Sequence, residues 1–141
     1  MIIGNAGKIL FARLSEGEDL VDSIKQTAQK GGVKSGLILL IGSLKHATLG
    51  YYKEGEYKPI PVEGPLEIAS CIGNIAEDDK GDTIVHAHLV VSDENGRASG
   101  GHMMKNCIVG ATAELTIVEA TGLGLRRVFD EKTKLKLLTL G

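Results

Sequence analysis

The fold of this chain is decided by the stretch Thr83-Ile84-Val85-His86-Ala87-His88-Leu89-Val90-Val91. Its residues are β-branched or apolar at odd and even positions alike, which predicts a strand in the interior of a sheet. Side chains two positions apart on a strand project from the same face, so we expect His86 and His88 to lie side by side. On a helix the same spacing would set them about 200° apart and separate the pair.

The residues after this strand predict a hairpin that brings in a third histidine. Asp93-Glu94-Asn95-Gly96 fits a type I turn whose glycine, in the left-handed region, closes a three-residue loop with a bulge. Counting back along both strands from this loop places His102 directly opposite His88. Opposed residues share a face with Cβ atoms about 5 Å apart, and the diagonal to His86 is roughly 7–8 Å.

The register of this hairpin has one alternative. A two-residue loop at Asn95-Gly96 would shift the pairing by one residue and turn His102 to the opposite face of the sheet. A bulge at Gly100-Gly101 could restore the first arrangement, because glycine tolerates the backbone that a bulge requires. The three-residue loop is the arrangement that we predict.

Three imidazoles on one face are the ligand set of an open zinc site, in which a fourth position is left for water or a substrate. We therefore predict a divalent metal, zinc by ligand type, at His86, His88 and His102. The alternative is that the histidines are satisfied structural residues or line a pH-sensitive pocket. The metal site is favoured because the third histidine falls at the spacing that the hairpin requires.

Glu114 is a further candidate because its carboxylate interrupts the mild strand Ala111-Thr112-Ala113-Glu114-Leu115-Thr116-Ile117. Burying a carboxylate is costly without a partner, so we expect it to have one. Three roles are open: an acceptor behind a histidine N–H, a fourth metal ligand, or a general base. An ion pair with a lysine or arginine is equally compatible with the sequence.

The rest of the chain predicts one helix and further strands. Ser15 and Glu18 are spaced as a capping box, and an apolar stripe then recurs at helical spacing until Gly31-Gly32 ends the helix. The fold class is therefore α+β: a mostly antiparallel β-sheet with one helix near the N-terminus packed on it. No linker or repeat interrupts the chain, so we expect a single domain over residues 1–141. Strand-like runs between glycine-rich or charged turns cover residues 8–14, 36–41, 47–52, 66–75, 83–91, 111–120, 125–129 and 134–140.

Composition and charge narrow the class of protein. The 16 Lys plus Arg against 18 Asp plus Glu give a formal charge of −2, which argues against a free-standing nucleic-acid binder. Cys71 and Cys107 form no CxxC motif and predict two reduced, buried thiols. The sequence shows neither a signal peptide nor the ~20-residue apolar run of a membrane helix, so we expect a cytoplasmic protein.

Four weaker patterns have ordinary structural explanations. Gly122-Leu123-Gly124 before Arg126-Arg127 suggests a phosphate loop, but no helix clearly follows to receive the anion. Alternating lysines at 132, 134 and 136 are typical of an edge strand, and Glu77-Asp78-Asp79 is typical of a solvated loop. The tyrosines beside the turn at Gly55 are compatible with a pocket or a subunit contact: Tyr51, Tyr52 and Tyr57.

Short motifs occur along the chain in a definite order: Gly17-Glu18-Asp19-Leu20, Gly64-Pro65-Leu66-Glu67-Ile68, Gly73-Asn74-Ile75, His86-Ala87-His88, Gly96, Gly100-Gly101-His102 and Thr112-Ala113-Glu114. In order and spacing they resemble the plants-and-prokaryotes-conserved (PPC) domain family, in its stand-alone prokaryotic form. The resemblance implies an α+β fold around an antiparallel sheet, a compact homotrimer, and metal binding by the histidines. Plant members bind DNA in the nucleus through a basic AT-hook, and this sequence lacks the Arg-Gly-Arg-Pro hook.

Two hypotheses about function follow. The first is a small metal-binding enzyme, in which the metal polarises a substrate or activates water and Glu114 assists. The second is a DNA-associated or ligand-sensing regulatory module without catalytic activity. The open set of three histidines favours the first, and the lack of a second recognisable catalytic group favours the second, so the sequence leaves open whether the protein is an enzyme.

Overall fold

A computed structural model describes residues 1–139 of the 141-residue chain. This part is mostly β-sheet with one short helix packed on it, consistent with the predicted α+β class. The predicted strand 134–140 overlaps the last strand, and its residue 140 lies outside the described residues. The elements follow in the order β1 (Asn5–Ser15), α1 (Leu20–Lys30), β2 (Gly36–Lys53), β3 (Glu56–Asp78), β4 (Thr83–Ser92), β5 (Ala98–Met103), β6 (Ile108–Thr121), β7 (Arg126–Asp130) and β8 (Leu135–Thr139).

The described strands form one sheet with the order β1-β6-β2-β5-β4-β3-β7-β8. Strand β2 also pairs with β3, so that β2, β3, β4 and β5 make a closed ring of pairings. Neighbouring strands run antiparallel except β3 and β7, which are parallel. The mostly antiparallel sheet therefore agrees with the prediction, and the parallel pair is the exception that the sequence did not indicate.

Strands β2 and β3 are longer than the sequence pattern predicts. The predicted strands 36–41 and 47–52 are both parts of β2, and β3 begins well before its predicted start. Strand β2 continues because it is bulged, with shifts of register against β6 on both sides of Leu44. At Gly42 (φ 139°) a Cβ would lie 2.4 Å from the carbonyl oxygen of Thr112, so glycine allows the two backbones to approach. The turn-like residues between the two predicted strands are bulges within one strand.

Helix α1 begins later than the predicted capping box. Asp19 is the N-cap residue, and its side chain accepts a hydrogen bond from the backbone N–H of Asp22 (3.2 Å). The Glu18 carboxylate accepts from the backbone N–H of Ser15, which is only half of a capping box. The prediction of Ser15 as the cap was wrong because Ser15 ends β1 and the chain then turns at Gly17 (φ 87°).

One face of α1 packs against β4 and β6 and closes the hydrophobic core. Each large aliphatic side chain buried there stabilises the folded state by about 1.5–3 kcal/mol. The odd-numbered residues of β4 therefore hold this strand in the core, while its even-numbered residues point to the other face of the sheet. The buried residues of the helix and of β4 belong to one cluster: Leu20, Ile24, Ala28, Ala87, Leu89 and Val91.

Two expectations from composition can be compared with the structure. Cys71 and Cys107 are free and buried, as predicted. Burial raises the pKa of Cys71 to about 12 and that of Cys107 to about 11, so neither thiol ionises at neutral pH. Within residues 1–139, no helix has the length and apolar character that spanning a membrane requires.

Candidate metal centre

The β4–β5 hairpin, here called the histidine hairpin (residues 83–103), has the predicted register. Gly96 lies in the left-handed region (φ 74°), and its N–H donates to the carbonyl of Asp93 (2.9 Å). The N–H of Asp93 donates to the carbonyl of Arg97 (3.1 Å), which closes the three-residue loop. From there the pairing places His88 opposite His102. The alternative two-residue loop, which would have turned His102 away, does not occur.

The three histidines lie together on the face of β4 and β5 that points away from the core. The ring centroid of His86 lies 5.5 Å from that of His88 and 5.1 Å from that of His102. The centroids of His88 and His102 are 6.0 Å apart. One ring nitrogen from each histidine lies within 4.8 Å of the other two, so the three side chains could hold one metal ion.

His86 is in contact with a buried arginine from β7, which lies on the far side of β3 in the sheet. Arg127 donates from Nη2 to Nδ1 of His86 (2.8 Å) and to Oδ1 of Asn74 (2.9 Å). Its Nη1 donates to the carbonyl of Lys136 (3.1 Å). Arg127 reaches this position because β7 runs parallel to the end of β3, where it pairs with Asp78. The guanidinium is therefore held in place by three neutral acceptors.

His102 is covered by a tyrosine ring. The ring of Tyr57 stacks on that of His102 with a centroid distance of 4.1 Å and an interplanar angle of 14°. His102 also pairs across the sheet with Gly50, where a Cβ would lie 3.0 Å from the Tyr57 ring. Glycine at this position lets the tyrosine approach the histidine. Nδ1 of His102 is buried and has no hydrogen-bond partner in the described structure.

The surroundings keep two of the histidines neutral. Burial first, and then the nearby His86, His88 and Arg127, lower the pKa of His102 to about 4. The pKa of His86 is also lowered, by burial and then by Arg127 and His88. The neutral imidazole is the form that binds a metal, because one ring nitrogen carries a lone pair; in His86 this lone pair accepts the hydrogen bond from Arg127. The chemistry of this donor set and the unpartnered nitrogen of His102 both fit a metal ion.

A pocket of about 200 Å³ opens beside the histidines. One wall carries His86, His102 and Arg127, and Tyr57 closes one side. Lys136 also reaches the pocket, but its ammonium is paired with the carboxylate of Asp78 (2.7 Å). Arg127 and Lys136 come from β7 and β8, which we call the arginine hairpin (residues 126–139). The remaining lining side chains are apolar: Ile84, Val85, Leu135 and Leu137.

The structure does not bring Glu114 to the three histidines of its own chain. Glu114 lies exposed on β6, where its neighbours across the sheet are Arg13 on β1 and Ile41 on β2. It lines two other pockets with Phe11 and neighbouring residues of that side, away from the pocket at the histidines. The expected burial of the carboxylate was wrong because β6 presents this side of the sheet outward.

Sequence reasoning missed three residues that build the site. Arg127 was seen only as part of a weak phosphate-loop pattern, although a charged residue inside an apolar strand is a signal of a buried partner. Asp78 was expected in a solvated loop, but it is 2% exposed and holds Lys136. Tyr57 was considered without a choice between pocket and subunit contact, and it lines the pocket.

The fold and the site together define a small, β-rich domain with a cluster of three histidines on one face of the sheet. The chain belongs to the Plants and Prokaryotes Conserved (PCC) domain family, whose sequence model matches residues 1–121. This confirms the resemblance inferred from the order of the motifs. The three histidines lie within the matched part, whereas the arginine hairpin follows it.

Solved structures resemble the chain over most of its length. A PPC protein from Pyrococcus horikoshii is 32% identical, with a TM-score of 0.89 over 100% of this chain and 99% of that one. A metal-containing protein from Archaeoglobus fulgidus is 30% identical, with a TM-score of 0.88 over 99% and 98%. A candidate DNA-binding protein from Ralstonia eutropha JMP134 is 26% identical, with a TM-score of 0.82 over 93% and 90%.

The chain is also similar to part of a larger protein. It is 31% identical over 122 residues to the bifunctional protein GlmU of Synechococcus sp. (strain JA-3-3Ab). The match covers 86% of this chain but only 18% of that protein. The similarity therefore concerns a segment of GlmU that corresponds to this domain.

Proposed function

We propose that this PCC-domain protein binds one divalent metal ion, zinc by ligand preference, through His86, His88 and His102. The observation that carries the proposal is the convergence of one ring nitrogen from each histidine within 4.8 Å. Imidazole nitrogen is a preferred zinc ligand, and three histidines leave a fourth position open. The similarity to a metal-containing protein from Archaeoglobus fulgidus supports metal binding without identifying the metal.

The pocket supports a ligand-binding role for this centre. When bound, the metal would supply a Lewis acid beside the pocket. The pocket is lined by cationic, aromatic and apolar side chains, and its lining contains no carboxylate among the described residues. A hydrolytic reaction would need a general base there, and Glu114 lies on another part of the sheet. Binding or sensing of a small molecule therefore fits these residues better than hydrolysis does.

Metal content tests the proposal directly. Protein stripped with a chelator is loaded with Zn²⁺, dialysed, and its metal is counted by mass spectrometry. We expect one zinc per chain in the wild type and loss of metal in His86→Ala and His102→Ala. The matched control is His46→Ala, because His46 bonds Asn106 outside the cluster and this variant should keep its zinc. A wild type that takes up no metal, or zinc that survives both substitutions, would overturn the proposal.

The exposed face of the sheet supports assembly into a homotrimer. The register aligns Phe11, Thr116, Leu39, Ile72 and His88 in one row across five strands. Phe11 is 80% exposed, and Ile72 is 55% exposed. Apolar patches of this kind usually mark an interface, and an exposed apolar strand face fits a second copy of the same chain. His88 would then lie at the border of the contact.

Light scattering tests the assembly. We expect the wild type to have three times the mass of one chain and Phe11→Ser to dissociate. Val128→Ser is the control, since Val128 is also an exposed apolar residue (46%) but lies on β7, away from the row. A wild-type monomer would exclude the trimer, and a trimer that tolerates the Phe11 substitution would place the contact elsewhere.

A DNA-associated role is the second candidate, and the similarity to the Ralstonia eutropha protein favours it. The formal charge of −2 gives the chain no overall basic footprint. Binding to a DNA duplex should weaken by about 10³-fold or more between roughly 50 and 200 mM salt if phosphates are contacted. No binding, or binding that salt leaves unchanged, would remove this candidate.

Two further proposals concern the whole chain. The strands on both sides of the site belong to one sheet, which supports a single domain over residues 1–141. Limited proteolysis that releases a stable shorter fragment would contradict this. Free Cys71 and Cys107 support a reducing compartment such as the cytoplasm, which microscopy of a tagged protein would test.

A further inference from the structure

Arg127 is a buried cation that has no acidic partner among the residues that the structure describes. Its side chain is 6% exposed, and its hydrogen bonds go to neutral groups of Asn74, Lys136 and His86. The carboxylate of Asp78, its neighbour in the β3–β7 pairing, is bound to the Lys136 ammonium instead. Within residues 1–139, Arg127 forms no ion pair. A buried charge without a counter-charge is costly, so this position calls for an anion.

Two buried nitrogens at the pocket have no hydrogen-bond partner in the described part of the chain. They are Nε of Arg127 and Nδ1 of His102, and both residues line the same pocket of about 200 Å³. The Nε–H of an arginine can only donate, so its missing partner must be an acceptor. Burial lowers the pKa of Arg127, as expected for a guanidinium that no anion offsets. An oxygen acceptor with negative charge would satisfy both the geometry and the charge.

The hydrogen bond between Arg127 and His86 bears on metal binding. A neutral imidazole has one N–H and one lone pair. While Nδ1 of His86 accepts from Arg127, the ring proton is on Nε2 and no lone pair is left for a metal. Metal binding by His86 therefore requires this hydrogen bond to break. The guanidinium would then be released, next to a second positive charge.

The rest of the pocket determines what kind of anion fits. The stacked ring of Tyr57 and the side chains of Ile84, Leu135 and Leu137 provide apolar walls. Inorganic anions would leave these walls in contact with water, whereas an organic group would cover them. A volume of about 200 Å³ lies below the ~300–1,000 Å³ of sites for drug-sized molecules, so the ligand is small.

We propose that this pocket binds a small organic carboxylate, whose charged end accepts from Arg127 beside the histidines and whose apolar end packs on Tyr57. The carboxylate and the metal bind cooperatively, because the anion offsets two neighbouring positive charges and gives the released guanidinium an acceptor. This inference rests on the proposed metal site and names the class of ligand that the site takes. By linkage, each of the two ligands strengthens the binding of the other by the same factor.

The experiment is a titration of metal-free protein with Zn²⁺ in a calorimeter, in Tris chloride alone and with benzoate, benzamide or inorganic phosphate added. Benzamide has the shape of benzoate without its charge, and phosphate has charge without an apolar body. We expect benzoate to tighten zinc binding about tenfold, and benzamide and phosphate to change it less than about twofold. Zinc should likewise tighten the binding of benzoate.

Variants assign the effect to the buried arginine. Arg127→Gln should still bind zinc and lose the benzoate effect, while the exposed neighbour Arg126→Gln should keep it. Zinc uptake without any benzoate effect in the wild type overturns this inference alone. Equal effects of benzoate and benzamide, or of benzoate and phosphate, also overturn it. No zinc uptake overturns the metal site and this inference together, and the wild-type titrations decide even if a variant fails to fold.

Discussion

Two hairpins border the same pocket, and they differ in what they bring to it and in how they are positioned. The histidine hairpin supplies imidazole ring nitrogens, and its register is set by a loop that Gly96 closes. The arginine hairpin supplies positive charge, and it is positioned by parallel pairing of β7 with the distant β3. The proposed metal ligands thus come from a local structure, and the proposed anion site comes from long-range contacts.

The largest expected difference between the hairpins concerns stability. Leu89 of the histidine hairpin is fully buried in the core, whereas Leu137 of the arginine hairpin is 41% exposed. Leu89→Ala should lower the free energy of unfolding by about 3 kcal/mol, because it leaves a cavity in a packed core. Leu137→Ala should cost less than about 1 kcal/mol. Equal losses in urea unfolding would contradict the view that the arginine hairpin is peripheral to the core.

The same difference explains how much the sequence could predict. The alternation of His86 and His88 and the turn before Arg97 are local patterns, and they sufficed to place His102 correctly. The position of Arg127 depends on a parallel pairing across about fifty residues of sequence, for which no local pattern exists. Periodicity reports which face a side chain takes, but it does not report which distant strand lies next to it.

Glu114 was wrongly expected to be buried, whereas Arg127 is buried and was missed. Its mild, regular strand suggested burial, and a buried carboxylate suggested a role at the site. In the sheet, Glu114 is separated from the histidines by β2 and neighbours Arg13 on its other side. Which of two faces a strand buries depends on the layer packed against it, and α1 covers the face opposite to Glu114. The local sequence does not contain this information.

The next effect concerns the contact between the two hairpins. Because Arg127 occupies the lone pair of His86, Arg127→Gln should tighten zinc binding in buffer without organic anions. One hydrogen bond of about 1 kcal/mol no longer has to break, which corresponds to roughly fivefold in affinity. Competition with a zinc-sensitive dye measures this change. Arg126→Gln is the control and should leave the affinity unchanged, and weaker binding in Arg127→Gln would show that the arginine assists the metal instead.

A smaller difference in stability is expected when the turn residue of each hairpin is substituted. Gly96 (φ 74°) turns the first, and Lys134 (φ 58°) turns the second. Gly96→Ala should lower the free energy of unfolding by about 1 kcal/mol. Backbone strain alone accounts for this loss, because a Cβ at this position would meet no other atom within 4 Å. Lys134→Gly relieves similar strain but raises the conformational entropy of the unfolded chain. Its free energy of unfolding should therefore rise by less than about 0.5 kcal/mol. Thermal unfolding of both variants tests whether Gly96→Ala lowers the stability and Lys134→Gly raises it. A lower stability in Lys134→Gly would mean that the side-chain contacts of Lys134 outweigh the backbone strain.

The last effect occurs only at acidic pH and concerns the Asp78–Lys136 ion pair, which holds the arginine hairpin against β3. The Lys136 ammonium, and then backbone N–H groups that donate to the carboxylate, lower the pKa of Asp78 to about 2. The usual value in an unfolded chain is about 3.9. Because the folded pKa is depressed, this stabilisation is complete above pH ~4 and is lost as the pH falls towards 2. The stability gap between wild type and Asp78→Asn in urea should therefore narrow between those pH values. Glu131→Gln, at the exposed pair with Lys134, is measured alongside as the surface-carboxylate control. A gap that stays constant down to pH ~2 would mean that the Asp78 charge does not hold the hairpin in place.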